Sequence, residues 1–167
     1  LDSAEYGADC IVLPLPCESS AGVLNTPLSE QTVCIDQIME FTKSGTAVLA
    51  GKASERLISE AASHGLKFAD YSAREEFAVT NAMLTAEGAM EIILYKFTSS
   101  LCVGKCLVIG FGRIGKLMAH RLKGMCASVT VSARKASDLA WIKAYGYEPA
   151  VTGEYDGILS EFDIIVN

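Results

Sequence analysis

The stretch Val108-Ile109-Gly110-Phe111-Gly112-Arg113-Ile114-Gly115 decides the fold. It follows the apolar run Leu107-Val108-Ile109 and opens a helix-periodic run with Ile114, Leu117, Met118 and Leu122 on one face. A strand therefore leads through a glycine turn into a helix, the context that gives a G-x-G-x-x-G pattern meaning. Gly110 permits the tight turn out of the strand. Gly112 lets a pyrophosphate approach the backbone. Gly115 allows the helix to pack closely on the strand. The helix N-terminus then turns its amides and its dipole toward phosphate. A purely structural glycine turn is the competing reading.

Downstream, Ser128-Val129-Thr130-Val131-Ser132 reads as the second strand. Its end, about 20 residues beyond the loop, is where an NAD-binding fold carries an acidic residue for the ribose 2′-hydroxyl. Here it reads Ser132-Ala133-Arg134-Lys135. Ser132, Arg134 and Lys135 would hold a 2′-phosphate, Arg134 in bidentate fashion, so NADP is the expected cofactor. The alternative is that Arg134 and Lys135 only solvate a surface loop. Arg113 either contacts the pyrophosphate or ribose or faces water. A helix capped by Ser137, a weak strand at 148–151, a short helix at about 154–160 and the strand Asp163-Ile164-Ile165-Val166 follow. Asn167 ends that fourth strand, where open α/β sheets bind ligands, and is expected near the nicotinamide ribose.

Upstream, Cys10-Ile11-Val12-Leu13 reads as a short buried strand, residues 17–28 as loop, and Ser29 as the cap of a helix reaching about Thr42. A strand at 47–51, a helix from Ser54 to His64 closed by Gly65, and a strand at 67–70 follow. This alternation predicts a parallel sheet. Thr85 reads as the N-cap of a long helix with Ala86, Met90, Ile93, Leu94 and Phe97 as its apolar stripe. The expected organisation is a partial flavodoxin-like α/β domain at 1–84, a linker helix at 85–100, and a partial doubly wound Rossmann domain at 101–167.

Composition narrows the function. Fourteen basic against twenty acidic residues give a net charge of −6, which is no footprint for nucleic acid. No basic run suggests a membrane anchor, and no apolar stretch is expected to reach the ~18 residues of a membrane span. The chain opens Leu1-Asp2-Ser3 without Met and without a signal-like region, which reads as a fragment boundary. Cys10, Cys34, Cys102, Cys106 and Cys126 lie in or beside apolar segments, so they are expected as core filler in a reducing cytoplasm. His64 and His120 have no metal-ligand spacing, and no metal is expected. Both histidines are expected on helix surfaces.

The segments Arg74-Glu75, Asn81 and Thr85-Ala86-Glu87-Gly88-Ala89, with the glycine loop and Val129-Thr130-Val131-Ser132-Ala133-Arg134, resemble the A subunit of dipicolinate synthase. Ile11-Val12-Leu13-Pro14 adds to the likeness, which covers nearly the whole chain. The resemblance implies a flavodoxin-like domain followed by an NADP-binding Rossmann domain, in the style of alanine dehydrogenase and adenosylhomocysteinase. It implies oxidation of a dihydro- or tetrahydrodipicolinate from lysine biosynthesis to pyridine-2,6-dicarboxylate for bacterial spores. The flavoprotein-like B subunit of dipicolinate synthase is the implied partner, and a homodimer is plausible by symmetry. Against that pattern the first strand and helix, the end of the Rossmann domain and a returning C-terminal helix are expected to be missing.

A dicarboxylate substrate needs cations or amide donors, and it is expected in the cleft between the domains. Pro14 to Pro16, Gly51 and the loop from Asp70 to Thr85 would line it. Arg74 is the best-placed cation, unless it pairs with Glu75 or Glu76. Asn81 and Thr85 could donate hydrogen bonds. Glu87 serves as acid or base, or only complements a helix dipole. Two other readings stay open: a different two-domain dehydrogenase of the amino-acid type, and a module that senses NADP without turnover.

Overall fold

The computed structural model describes residues 8–125, 127–154 and 157–167. The chain forms two compact units, Leu1–Ala78 and Val79–Asn167.

In the first unit, strands β1 (Cys10–Val12), β4 (Ala47–Ala50) and β5 (Lys67–Asp70) form a parallel sheet in the order β1-β4-β5. Ile11 lies beside Val48, and Val48 beside Phe68. The centre is β4, which buries Val48 and Ala50. β1 was expected to be buried. It is instead a sheet edge among the described residues and leaves Val12 largely exposed, with Leu13 just beyond it turned into the core.

Residues 17–28 were expected as loop, yet β2 (Glu18–Ser20) and β3 (Val23–Leu24) form a small hairpin. This hairpin also shortens the next helix. The Leu24 N–H donates to the Val33 carbonyl at 2.9 Å and Val23 bridges Cys34, so residues near 33 are held extended. Helix α1 therefore spans only Ile35–Glu40, and Ser29 makes a local turn with the Gln31 N–H rather than a cap. Helix α2 (Glu55–Ser63) matches its sequence signals. The Ser54 hydroxyl accepts from the Leu57 N–H at 3.2 Å, and Gly65 beyond its end has a φ of +68°.

Helix α3 runs unbroken over Glu75–Lys96, starting ten residues before the expected Thr85. The Thr85 hydroxyl donates to the Asn81 carbonyl at 3.0 Å, the back-bond of a helix interior and not a cap. The start is set by Glu75 and Glu76, acidic residues in the first turn, and by the Arg74 carbonyl, which accepts from the Ala78 N–H. Ala82, Ala86 and Met90 are buried, with Ile93 and Phe97 packed beside them, while Leu84, Ile92, Leu94 and Tyr95 are exposed. The helix is thus apolar on more than one face. By length and by a mean hydropathy of 1.2 over its best window it is long and apolar enough to cross a membrane. The sequence reading missed this because its polar residues are spread along the run.

The second unit holds the parallel sheet β8-β7-β6-β9, made of β6 (Lys105–Ile109), β7 (Ser128–Ala133), β8 (Glu148–Val151) and β9 (Ile164–Val166). Numbered within the unit this is the order 3-2-1-4 of a doubly wound dinucleotide fold. Cys106, Leu107 and Val108 are buried in succession, as expected of a central parallel strand covered on both faces. Helix α4 (Arg113–Gly124) buries Met118, Ala119 and Leu122 but leaves Ile114 exposed. Helix α5 (Ala136–Ala144) is entered through Lys135, whose carbonyl accepts from Asp138 and Leu139, so Ser137 is not its cap. The expected helix near 154–160 falls partly outside the described residues. What is described there is a short 3-10 turn, Leu159–Glu161.

The cysteines divide. Cys17 and Cys106 are buried, whereas Cys10, Cys34 and Cys102 are exposed and are not the core filler expected of them. Cys126 lies outside the described residues. His64 is the C-cap of α2 and His120 is exposed on α4, both as expected.

Candidate dinucleotide site

Gly110 leaves β6 with a φ of +98°, a region that favours glycine. Its N–H donates to the Ser132 carbonyl at 3.0 Å and reaches the Ser132 hydroxyl at 3.3 Å. Gly112 is the N-cap of α4, no side chain caps that turn, and nothing lies within 4 Å of where a Cβ would stand. At Gly115 an added Cβ would run into the Gly110 carbonyl oxygen and lie 3.0 Å from its carbon. The three glycines therefore do three different things: a left-handed turn, an open approach, and helix-on-strand contact. Uncapped amides over an open approach fit a pyrophosphate.

Phe111 is buried in the core of the unit, so it anchors the turn rather than offering its ring to a ligand. The Lys116 ammonium stands 5.0 Å from its ring centroid. An aromatic series continues outward: Tyr145 lies 6.3 Å from Phe111, and the exposed Trp141 stacks on Tyr145 at 5.6 Å. Arg113 and Ile114 are exposed at the start of α4.

At the end of β7 the four expected residues separate into two kinds. Ser132 and Ala133 are buried. The Ser132 hydroxyl lies between the Gly110 N–H and the Thr152 hydroxyl, which donates to it at 3.3 Å. Ser132 thus fixes the glycine turn from below instead of facing a 2′-phosphate. Arg134 and Lys135 are exposed where β7 gives way to α5. Asn167 is exposed directly after β9, and β9 lies beside β6, with Val108 opposite Val166. The glycine turn, the basic strand end and Asn167 therefore share the C-terminal edge of one sheet.

The expected catalytic residues are less united. Arg74 faces Glu76 at 3.7 Å in a highly exposed pair, a contact worth at most about 1 kcal/mol. Asn81 and Thr85 are exposed one turn apart on α3. Glu87 is exposed two residues beyond Thr85, which turns it about 200° away around the helix and so off the Asn81–Thr85 face.

Sequence reasoning passed over a second cluster, at the C-terminal ends of the strands of the first unit. The Asp70 carboxylate accepts from the Ala53 N–H at 2.9 Å, the Ser72 N–H at 2.7 Å and the Ser72 hydroxyl at 2.6 Å. Burial pushes the Asp70 carboxyl up, but the Ser72 hydroxyl and the Ala53, Ser72 and Lys52 amides outweigh it and hold it below the usual range. Glu18 behaves alike: burial raises it, and Ser54, the Gly22 amide and the Arg56 charge bring it down. Burial raises the Cys17 thiol, with the Glu18 charge adding to the effect, and burial raises Tyr71, whose hydroxyl donates to the Leu13 carbonyl at 3.0 Å. The Asp70-x-Ser72 spacing directly after a strand was the available signal for this cluster.

Residues 1–72 match the family model for the N-terminal domain of the dipicolinate synthase A subunit. Over 160 residues the chain is 27% identical to the dipicolinate synthase A subunit of Bacillus subtilis (strain 168), covering 95% of this chain and 54% of that protein. The crystal structure of the Bacillus subtilis dipicolinate synthase A chain superposes with a TM-score of 0.78 at 25% identity, over 99% of this chain and 57% of that one. The corresponding structure from Bacillus halodurans gives 0.80 at 24% identity, over 99% and 56%. A transhydrogenase from Sinorhizobium meliloti gives 0.66 at 17%, over 98% and 50%, a likeness of fold alone. The chain thus spans about half the length of the relatives it matches. Residues 1–72 are thus similar to the N-terminal domain of dipicolinate synthase A subunits, and over nearly its whole length the chain is similar in sequence and fold to the A subunit of Bacillus subtilis.

Proposed function

We propose that this chain is the dinucleotide-binding portion of an NADP-dependent oxidoreductase that oxidises a dihydro- or tetrahydrodipicolinate to dipicolinate during sporulation. The observation that carries the reading is the exposed Arg134-Lys135 pair beside the glycine turn, at a position where an NAD-preferring fold places a carboxylate. Two cations there attract a 2′-phosphate that an Asp or Glu would repel. Similarity to dipicolinate synthase A subunits supports the substrate class.

When bound, NADP supplies the hydride acceptor. Each dihydropyridine ring oxidised gives up one hydride and one proton. The chain's own residues do the holding: the amides after Gly112 for the pyrophosphate, Arg134 and Lys135 for the 2′-phosphate, and Asn167 for the ribose. Arg74, Asn81, Thr85 and Glu87 remain the proposed substrate-side residues. The proposed setting is the cytoplasm, as a homodimer or with the B subunit of dipicolinate synthase, without nucleic acid or membrane.

The test is titration of NADP and NAD against wild type and Arg134→Ala. Wild type should prefer NADP, and the variant should lose roughly 10- to 100-fold in NADP affinity with little change for NAD, as expected of a charge-assisted contact of ~1.5–3 kcal/mol. A wild-type preference for NAD would sink the cofactor assignment. Absorbance of reduced nicotinamide, followed with dihydrodipicolinate and with amino acids, separates the proposed reaction from an amino-acid dehydrogenase. NADP binding without turnover of either would point to a sensing module.

A further inference from the structure

Lys52 stands out from every other described non-glycine residue by its backbone, which takes a φ of +56°. A lysine gains nothing locally from that conformation, and residues held there cluster at ligand sites. Two contacts hold it. The Lys52 N–H donates to the Ser72 hydroxyl at 2.9 Å, and the Cys17 thiol lies 3.8 Å from the Lys52 carbonyl. Ser72 is itself fixed by Asp70, and Cys17 is fully buried. The preceding Gly51 admits no side chain, since a Cβ would come within 2.6 Å of Leu15. The surrounding loops thus impose the turn at Lys52, and its side chain is exposed.

Its position and its charge supply the rest. Lys52 follows β4, the central strand of the first sheet, at the C-terminal edge where open parallel sheets bind ligands. Of the other cations flanking these loops, Arg56 is shared by two carboxylates, 3.2 Å from Asp36 and 3.8 Å from Glu18, while Arg74 has a weak exposed pair with Glu76 and stays a proposed substrate-side cation along with Lys52. Among the described residues no ion pair includes Lys52. We infer that Lys52 is a carboxylate-binding residue of the first unit, its ammonium presented by a constrained turn to one acid group of the substrate. This deepens the dicarboxylate reading above and rests on it for the identity of the acid.

The experiment measures binding to the 167-residue chain of pyridine-2,6-dicarboxylate and, separately, of pyruvate, with NADP titrated as a control. The variants are Lys52→Gly, Lys52→Gln and Lys52→Arg. Glycine removes the charge and relaxes the backbone, so Lys52→Gly should melt no lower than wild type and still bind the carboxylate at least about tenfold more weakly. Lys52→Gln should show the same loss, Lys52→Arg should retain most of the binding, and NADP affinity should not move. Dicarboxylate binding unchanged in Lys52→Gly overturns the inference and leaves the substrate reading standing. Binding of pyruvate alone, lost in Lys52→Gly, upholds the inference and removes the dicarboxylate reading. Binding of neither acid to wild type overturns the inference.

Discussion

Two glycines of the turn differ in what an added methyl group would meet, and that difference can be measured. At Gly115 the methyl meets the Gly110 carbonyl. Gly115→Ala should therefore destabilise the second unit by about 2–3 kcal/mol despite the better helix propensity of alanine, seen as a lower thermal midpoint. At Gly112 the methyl meets nothing in the protein. Gly112→Ala should leave the midpoint unchanged and weaken dinucleotide binding by about tenfold or more, ~1.4 kcal/mol. Equal effects of the two changes on stability would contradict the assigned roles. The glycine roles were legible in the sequence because they follow from a local strand–turn–helix. The role of Ser132 was not: its hydroxyl is committed through Thr152, twenty residues away on the far side of β8. Nothing local marks that burial. Lys52 was hidden for the same reason, its backbone being set by Cys17 and Ser72 rather than by its neighbours.

Elements with their own start and stop signals were predicted well. α2 has Ser54 before it and Gly65 after it, and β4, β5, β7 and β9 fall where apolar runs placed them. The misjudged elements were those set by partners. The hairpin β2–β3 draws residues near 33 away from helix, and α3 begins early because no breaker stands between Glu75 and Thr85. Thr85 offers a direct test of α3. As an N-cap, its replacement by alanine would cost about 1 kcal/mol. As an interior residue it should instead gain about 0.5 kcal/mol in Thr85→Ala, read from denaturant midpoints. A loss would restore the cap.

At the scale of the molecule, the carboxyl groups held below their ordinary range among the described residues, Asp70 and Glu18, both belong to the first unit. A depressed folded-state value means stability that is present above the unfolded values, about 3.9 and 4.3, and lost as pH falls through the folded ones. The shifted groups of the second unit, Cys106 and Tyr147, are raised chiefly by burial and stay neutral in acid. Among the described residues, acid should therefore loosen Leu1–Ala78 before Val79–Asn167. Hydrogen exchange along a titration from neutral pH to about 3 should lose protection in β4 and β5 first, and Asp70→Asn should blunt that order. Simultaneous loss in β6 and β7 would count against it.

The aromatic series on α5 has a practical consequence. Trp141 is the only tryptophan of the chain, and through Tyr145 it is linked by ring contacts to Phe111 at the glycine turn. Reduced nicotinamide absorbs where indole emits, so this ring is a built-in optical reporter for the second unit. Emission should dim as reduced NADP is added, at a concentration set by Arg134, and Trp141→Phe should abolish the signal without altering affinity. Occupancy of the site can then be followed in the unlabelled chain, before any substrate has been identified.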